Sequence, residues 1–196
     1  MSPSLGAINQ NLFTTCDLFL VPMHPDYFSS MAIRSLTNVL PKWKKWAEAA
    51  NKIDVLKQAE YPFPSSNPRF LGYVVQKYRP RDGSPTRAFQ RWISELEESV
   101  RNIFIPALND ASMMLDPNIY ELAVFDPSEP LLQMPDFNSL IARSQEHQVP
   151  IFELTPAQLQ QVGRVLENTQ GSQEQFKILF EQAANRTISV VDAINS

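Results

Sequence analysis

Leu18, Phe19, Leu20 and Val21, closed by Pro22, constrain the fold of this chain more than any other stretch. An uninterrupted apolar run of that length reads as a strand buried on both faces, because a strand with one wet face alternates. Residues 18–21 are therefore expected to form a central strand. After them Pro22 and Pro25 hold a short loop extended, and Asp26 stands where a carboxylate accepts hydrogen bonds from the free amides that open a helix. Phe28, Ala32, Leu36, Val39 or Leu40, and Trp43 then recur at helical spacing. Strand, loop and amphipathic helix are the repeating unit of a parallel α/β sheet, whose ligands gather at the carboxyl ends of the strands.

The same unit recurs downstream. Residues 70–75, Phe-Leu-Gly-Tyr-Val-Val, are expected to form a second strand parallel to the first, with residues 120–125, Tyr-Glu-Leu-Ala-Val-Phe, as a third. Leu5, Ile8, Leu12 and Cys16 predict a short first helix, and Phe89, Ile93, Leu96 and Val100 predict another after the second strand. Pro41 should kink or end the helix that follows Asp26, beyond which Trp43 and Trp46 share a buried face while Lys42, Lys44 and Lys45 point to water. Asp136 is expected to cap a helix bearing Phe137, Leu140 and Ile141. Thr155, Pro156 and Gln158 form a capping-box start for a helix with Leu159, Val162 and Leu166, which Gly171 closes. Ser172 and Gln175 repeat the signal for a final helix carrying Phe176, Leu179, Phe180, Ala183, Ile188, Val191 and Ile194. The chain thus reads as a single α/β domain over residues 1–196, with a parallel sheet of about three strands flanked by helices.

Several function classes fall away on composition and spacing. No apolar run approaches the roughly 20 residues needed to span a bilayer, and the amino-terminal residues lack a secretory signal, so the expectation is a cytoplasmic protein with no integral membrane segment. The single cysteine, Cys16, rules out an internal disulfide framework and reads as a small core thiol. His24 and His147, the two histidines, lack partners at metal-ligand spacing, so no metal site is expected. His24-Pro25-Asp26 lies at a strand end without an evident nucleophile, and no catalytic residue is assigned. A net charge of −4 argues against a protein that is basic all over. It leaves room for a local patch: Arg79, Arg81, Arg87 and Arg91, with Arg69 and Lys77 nearby in sequence, can bind a DNA backbone or a polyphosphate, or can simply form a solvated basic loop. The five glycines are isolated and none precedes a lysine, so neither a phosphate-binding loop nor the three-glycine dinucleotide fingerprint can be built from this sequence.

Ser2-Pro3-Ser4-Leu5-Gly6-Ala7-Ile8-Asn9, then Cys16-Asp17-Leu18-Phe19-Leu20-Val21-Pro22, then Asp26-Tyr27-Phe28-Ser29, together resemble the middle of ParA and MinD type ATPases. The resemblance continues through residues 70–78, 85–92 and 150–154 and covers most of the chain. It implies a partial P-loop NTPase-like α/β fold, ATP and magnesium as cofactors, and the positioning of plasmids, chromosomes or other cargo on DNA or membrane. By the same resemblance Gln76, Lys77 and Tyr78 would neighbour the nucleotide base, and the turn after Phe125 would close over it. In that family the Walker A phosphate loop and the first acidic magnesium-binding segment lie upstream of the motif that begins here at Ser2. The resemblance therefore implies an ATPase-related chain in DNA partition or cargo positioning that does not hydrolyse ATP alone. ATP and magnesium would bind only where a missing P-loop half is supplied. Self-association, or association with a P-loop-bearing polypeptide, is expected at an open edge of the strand at residues 18–21. A non-catalytic scaffold or regulatory protein-interaction module, and a DNA-backbone-binding module using the arginine patch, are the alternatives.

Overall fold

The computed structural model describes residues 6–58, 60, 67–78, 80, 81, 84–137 and 139–196. In chain order the elements are helix α1 (Ala7–Thr15), strand β1 (Leu18–Met23), helix α2 (Tyr27–Ala50), the short α3 (Asp54–Lys57), strand β2 (Arg69–Tyr78), the two-residue strands β3 (Pro80–Arg81) and β4 (Ser84–Pro85), and helix α4 (Arg87–Ser99). A π-helical segment, Val100–Phe104, leads into α5 (Ile105–Asp110), followed by α6 (Pro117–Leu122), strand β5 (Leu132–Pro135) and α7 (Leu140–His147). A single 3-10 turn (Ile151–Glu153), α8 (Pro156–Leu159) and the long α9 (Gly163–Ile194) complete the chain.

β1, β2 and β5 form a parallel sheet in the order β1-β2-β5, with helices on both faces. On one face, side chains from α1, α2, α4 and α5 bury Phe13, Ile33, Leu96 and Leu108 against Phe19, Phe70 and Tyr73. On the other, Tyr120 of α6 and Val190 of α9 pack on Leu71 and Leu131. Leu96, Val100, Phe104 and Leu108 recur every four residues and all are fully buried. A four-residue repeat overshoots the α-helical turn by about 40° each time, and the wider π turn at Val100–Phe104 takes up that drift so the ridge stays on the sheet.

β2, not β1, is the central strand. β1 has one partner among the described residues and its burial alternates: Phe19 and Met23 are buried beneath the helices, whereas Leu20 is 41% exposed and Pro22 is exposed. The apolar run at residues 18–21 is thus an edge strand whose second face is incompletely covered. Pro22 suits that place, since an edge residue whose N–H would point outward loses no ladder bond. The parallel pairing of β1 with β2 is as expected, with a register shift between Phe19 and Leu20. Across that shift β2 inserts one extra residue, so Phe70 and Tyr73 reach the same core. The extra residue is Leu71; Gly72 beside it, paired with Leu20, has φ +156, and an added Cβ there would lie 3.1 Å from the Phe125 ring.

The third strand lies elsewhere than expected. Residues 120–125 do not form a strand; Asp116 accepts the Asn118 N–H, Pro117 fills the first helical turn, and Tyr120 sits inside α6 with its hydroxyl donating to the Phe70 carbonyl. The third strand is Leu132–Pro135, which holds no β-branched residue and is identified only by its pairing with β2. Helix faces also differ. Asp26 does cap α2, but Phe28 and Ala32 are exposed and the buried line runs through Ser30, Ile33, Leu40, Ala47 and Ala50. Pro41 lies within α2, which continues to Ala50. Trp43 packs on Phe13, with ring centroids 5.7 Å apart, while Trp46 is exposed and Lys44 turns inward to the Ala111 carbonyl at 2.9 Å.

Toward the carboxyl end, α7 starts after Ser139 and not from an Asp136 cap. The Thr155–Gln158 capping box is present, yet it opens only the four-residue α8, which Gln160 ends at φ +53. Gly171 and Ser172 are interior to α9, where the Ser172 hydroxyl donates to the Asn168 carbonyl. One uninterrupted helix therefore serves two cores. Phe176 packs with Leu140, Ile151, Leu154 and Leu159, and Val190 packs on the sheet, while Ile188, Val191 and Ile194 remain exposed. No helix among the described residues is long and apolar enough to cross a membrane.

Candidate functional site

The three parallel strands end on a common rim, and the residues just past each end determine its chemistry. From β1 comes His24-Pro25-Asp26. Asp26 Oδ1 accepts the Ser29 N–H at 2.8 Å, and the Ser29 hydroxyl accepts the His24 N–H at 3.0 Å. These bonds fold the strand end tightly onto the start of α2. His24 Nδ1 lies 3.2 Å from Asp26 Oδ2 without the alignment of a hydrogen bond, and both side chains are more than a third exposed. The imidazole edge faces Phe89 of α4 at 6.4 Å. Among the described residues no hydroxyl or thiol is hydrogen-bonded to the ring, so the His24–Asp26 pair has no nucleophile to activate.

From β2 come Gln76, Lys77 and Tyr78. Lys77 has φ +62 and sits where the β2–β5 register shifts between Gln76 and Tyr78. This bulge leaves Lys77 exposed while Tyr78 is buried, and burial pushes the Tyr78 hydroxyl above its ordinary pKa. The accessible groups of this strand end are therefore the Gln76 amide and the Lys77 ammonium, with Tyr78 buried. The Asp136 N–H donates to the Tyr78 carbonyl at 2.9 Å, so Asp136 and Phe137, which follow β5, are the segment that stands next to this strand end. The turn after Phe125 is elsewhere: Tyr73 donates its hydroxyl to the Ser128 carbonyl at 3.1 Å, and the Leu131 N–H donates to the Tyr73 carbonyl at 2.8 Å. That turn lies against the middle of β2 and does not close over Gln76–Tyr78.

The basic residues are divided between roles. Arg69 is committed to structure, its guanidinium donating to the Met114 carbonyl at 2.9 Å. Arg87 and Arg91 are exposed on one stripe of α4, one turn apart. Arg79 lies outside the described residues; of Arg81 only the backbone, in β3, is described. Cys16 donates its thiol to the Phe13 carbonyl at 3.0 Å and is half-buried; burial raises its pKa, which suits the expected inert core thiol.

A second concave feature, which the sequence did not suggest, lies beside the start of β5. Glu97 of α4, Arg101, Glu129 and Arg186 of α9 line a cleft of about 330 Å³. Burial pushes the Glu97 carboxyl up; Arg101 opposes that shift and Glu129 adds to it. Arg101 donates to the Ser128 hydroxyl at 3.4 Å, and Arg186 donates to the Leu131 carbonyl at 2.9 Å, so both guanidiniums brace the turn into β5. Glu97 and Glu129 are distant in sequence and share no motif, so only the tertiary fold reveals their meeting. Comparison with protein-family models, with curated proteins and with solved structures finds no match for this chain.

Proposed function

We propose that this chain is a ParA-like, ATPase-related module of DNA partition or cargo positioning, which supplies the base-side rim of a P-loop NTPase-like fold and does not hydrolyse ATP alone. The observation that carries the reading is the rim itself, where neighbouring parallel strands deliver Gln76, Lys77 and Tyr78 beside Asp136. The accessible Gln76 amide and Lys77 ammonium provide polar contacts suited to the edge of a base, while Tyr78 is buried and anchors the strand end. The phosphates are a different matter. No glycine precedes a lysine in the sequence, so an ATP γ-phosphate would depend on a grip from a P-loop-bearing partner, which the outer edge of β1 can accept as a neighbouring strand.

Calorimetry with adenosine and with magnesium-ATP tests this reading. The expected result is weak binding of both ligands, of similar affinity and in about the millimolar range, with no turnover. Turnover of ATP by the purified chain, or no binding of either ligand, refutes it. A second reading, a non-catalytic interaction module, is favoured by the exposure of Leu20 on the open edge strand. It expects no nucleotide binding, together with concentration-dependent association in light scattering that Leu20→Glu abolishes.

A further inference from the structure

At the opening of α2 three large apolar side chains are left in water: Phe28 is 78% exposed, Tyr27 55% and Met31 46%. Exposed aromatic rings in a cluster forgo burial that a core position would give them, so the cluster marks a contact surface. The rings also hold a defined arrangement. Tyr27 meets Phe28 edge-on with centroids 6.0 Å apart, and meets Trp92 of α4 edge-on at 6.3 Å, so the aromatic surface bridges two helices.

Cations flank it on both helices. Tyr27, Met31 and Arg34 follow one stripe of α2 at i, i+4 and i+7, and Arg34 is exposed. On α4, Arg91 immediately precedes Trp92 and shares a stripe with Arg87. Acidic groups share these helices: Asp26 caps α2 and lies against His24, and Glu95, one turn beyond Arg91, accepts the Ser30 hydroxyl at 3.4 Å. Glu98 stands one turn further along α4, away from the helix start. The surface thus offers exposed guanidiniums beside exposed rings, with Asp26, Glu95 and Glu98 on the same two helices balancing their charge.

We propose that Tyr27, Phe28 and Trp92, with Arg34, Arg87 and Arg91, form a binding platform for single-stranded nucleic acid. The inference does not depend on any ATPase relationship. A single strand offers the two things this surface lacks, unstacked base faces for the rings and phosphates for the guanidiniums. Duplex DNA keeps its bases stacked inside and would use only the arginines. An acidic peptide would meet the charge but has no planar faces to stack.

Fluorescence anisotropy with a labelled oligothymidylate of about 15 nucleotides tests the platform, with a duplex of equal length and poly-glutamate as competitors. The plot of log affinity against log salt should have a slope of about −2, as three neutralised single-strand phosphates require, and Arg91→Ala should reduce it to about −1.4. Phe28→Ala should weaken binding about tenfold, and Phe28→Trp should restore it. Phe28 is so exposed that neither change disturbs the core, and far-ultraviolet circular dichroism checks that each variant is folded. The proposal is overturned if the oligothymidylate fails to bind, if Phe28→Ala leaves its affinity unchanged, or if the duplex or poly-glutamate displaces it as well as unlabelled oligothymidylate does.

Discussion

Gly171 separates two accounts of the carboxyl-terminal region by the sign of one substitution. The sequence pattern makes it a helix terminator, which would place it in the left-handed conformation where alanine is strained by about 1–2 kcal/mol. In the structure it lies inside α9, without positive φ, and a Cβ built there meets nothing within 4 Å. Gly171→Ala then removes only the helical penalty of glycine and should stabilise the protein by about 0.8–1 kcal/mol. For a chain of this size that raises Tm by about 2–4 °C, and with an m-value of about 2 kcal/mol/M it moves the urea midpoint up by about 0.4–0.5 M. Gly163 is the internal control. It also has open space around its missing Cβ, but its φ is +58, so Gly163→Ala should destabilise by about 1–2 kcal/mol. Urea unfolding followed by far-ultraviolet circular dichroism reads both variants. A Gly171→Ala protein that is less stable than the parent by 1 kcal/mol or so would refute a continuous α9.

Gly72→Ala combines an unfavourable backbone angle with a Cβ at 3.1 Å from the Phe125 ring, and should lower stability by about 2–4 kcal/mol in the same urea assay. Asp26→Ala removes the acceptor for the Ser29 N–H and should cost about 1 kcal/mol, read as a lower urea midpoint with an unchanged m-value. For Glu97, whose pKa is raised in the folded state, the native protein holds that proton more tightly than the unfolded chain does. The penalty of ionising it is present above the folded pKa and is relieved as pH falls through that value toward the unfolded one, so Glu97→Gln should stabilise at neutral pH, with the gain disappearing in acid. Urea midpoints that show a gain independent of pH would sink that assignment.

Local signals were legible where one residue acts on its own neighbours. Asp26 and Thr155 form caps in the structure because a side chain reaches amides two or three residues away, a contact written entirely in sequence. The apolar ridge of Ile93, Leu96 and Val100 was equally plain. The misplaced third strand shows the limit of such signals. Residues 120–125 have the composition of a strand, but Asp116 and Pro117 start a helix just before them and Phe70 offers Tyr120 a carbonyl. Leu132–Pro135 has weak strand propensity, yet it pairs because β2 has an open side. The candidate rim follows the same division: Gln76–Tyr78 could be placed at a strand end, whereas Asp136 as their neighbour, and Glu97 beside Glu129, depend on contacts between distant segments.

The amino-acid sequence by itself determined the α/β class, the parallel β1–β2 unit with its capped crossover helix, and the absence of a glycine–lysine phosphate loop, since each rests on residue type and short spacing. Only the tertiary structure decided which strand is central, where the third strand lies, that one helix spans two cores through Gly171, and which aromatic side chains stay in water. Periodicity shows that a stretch has an apolar face, but what covers that face depends on segments far away in the chain.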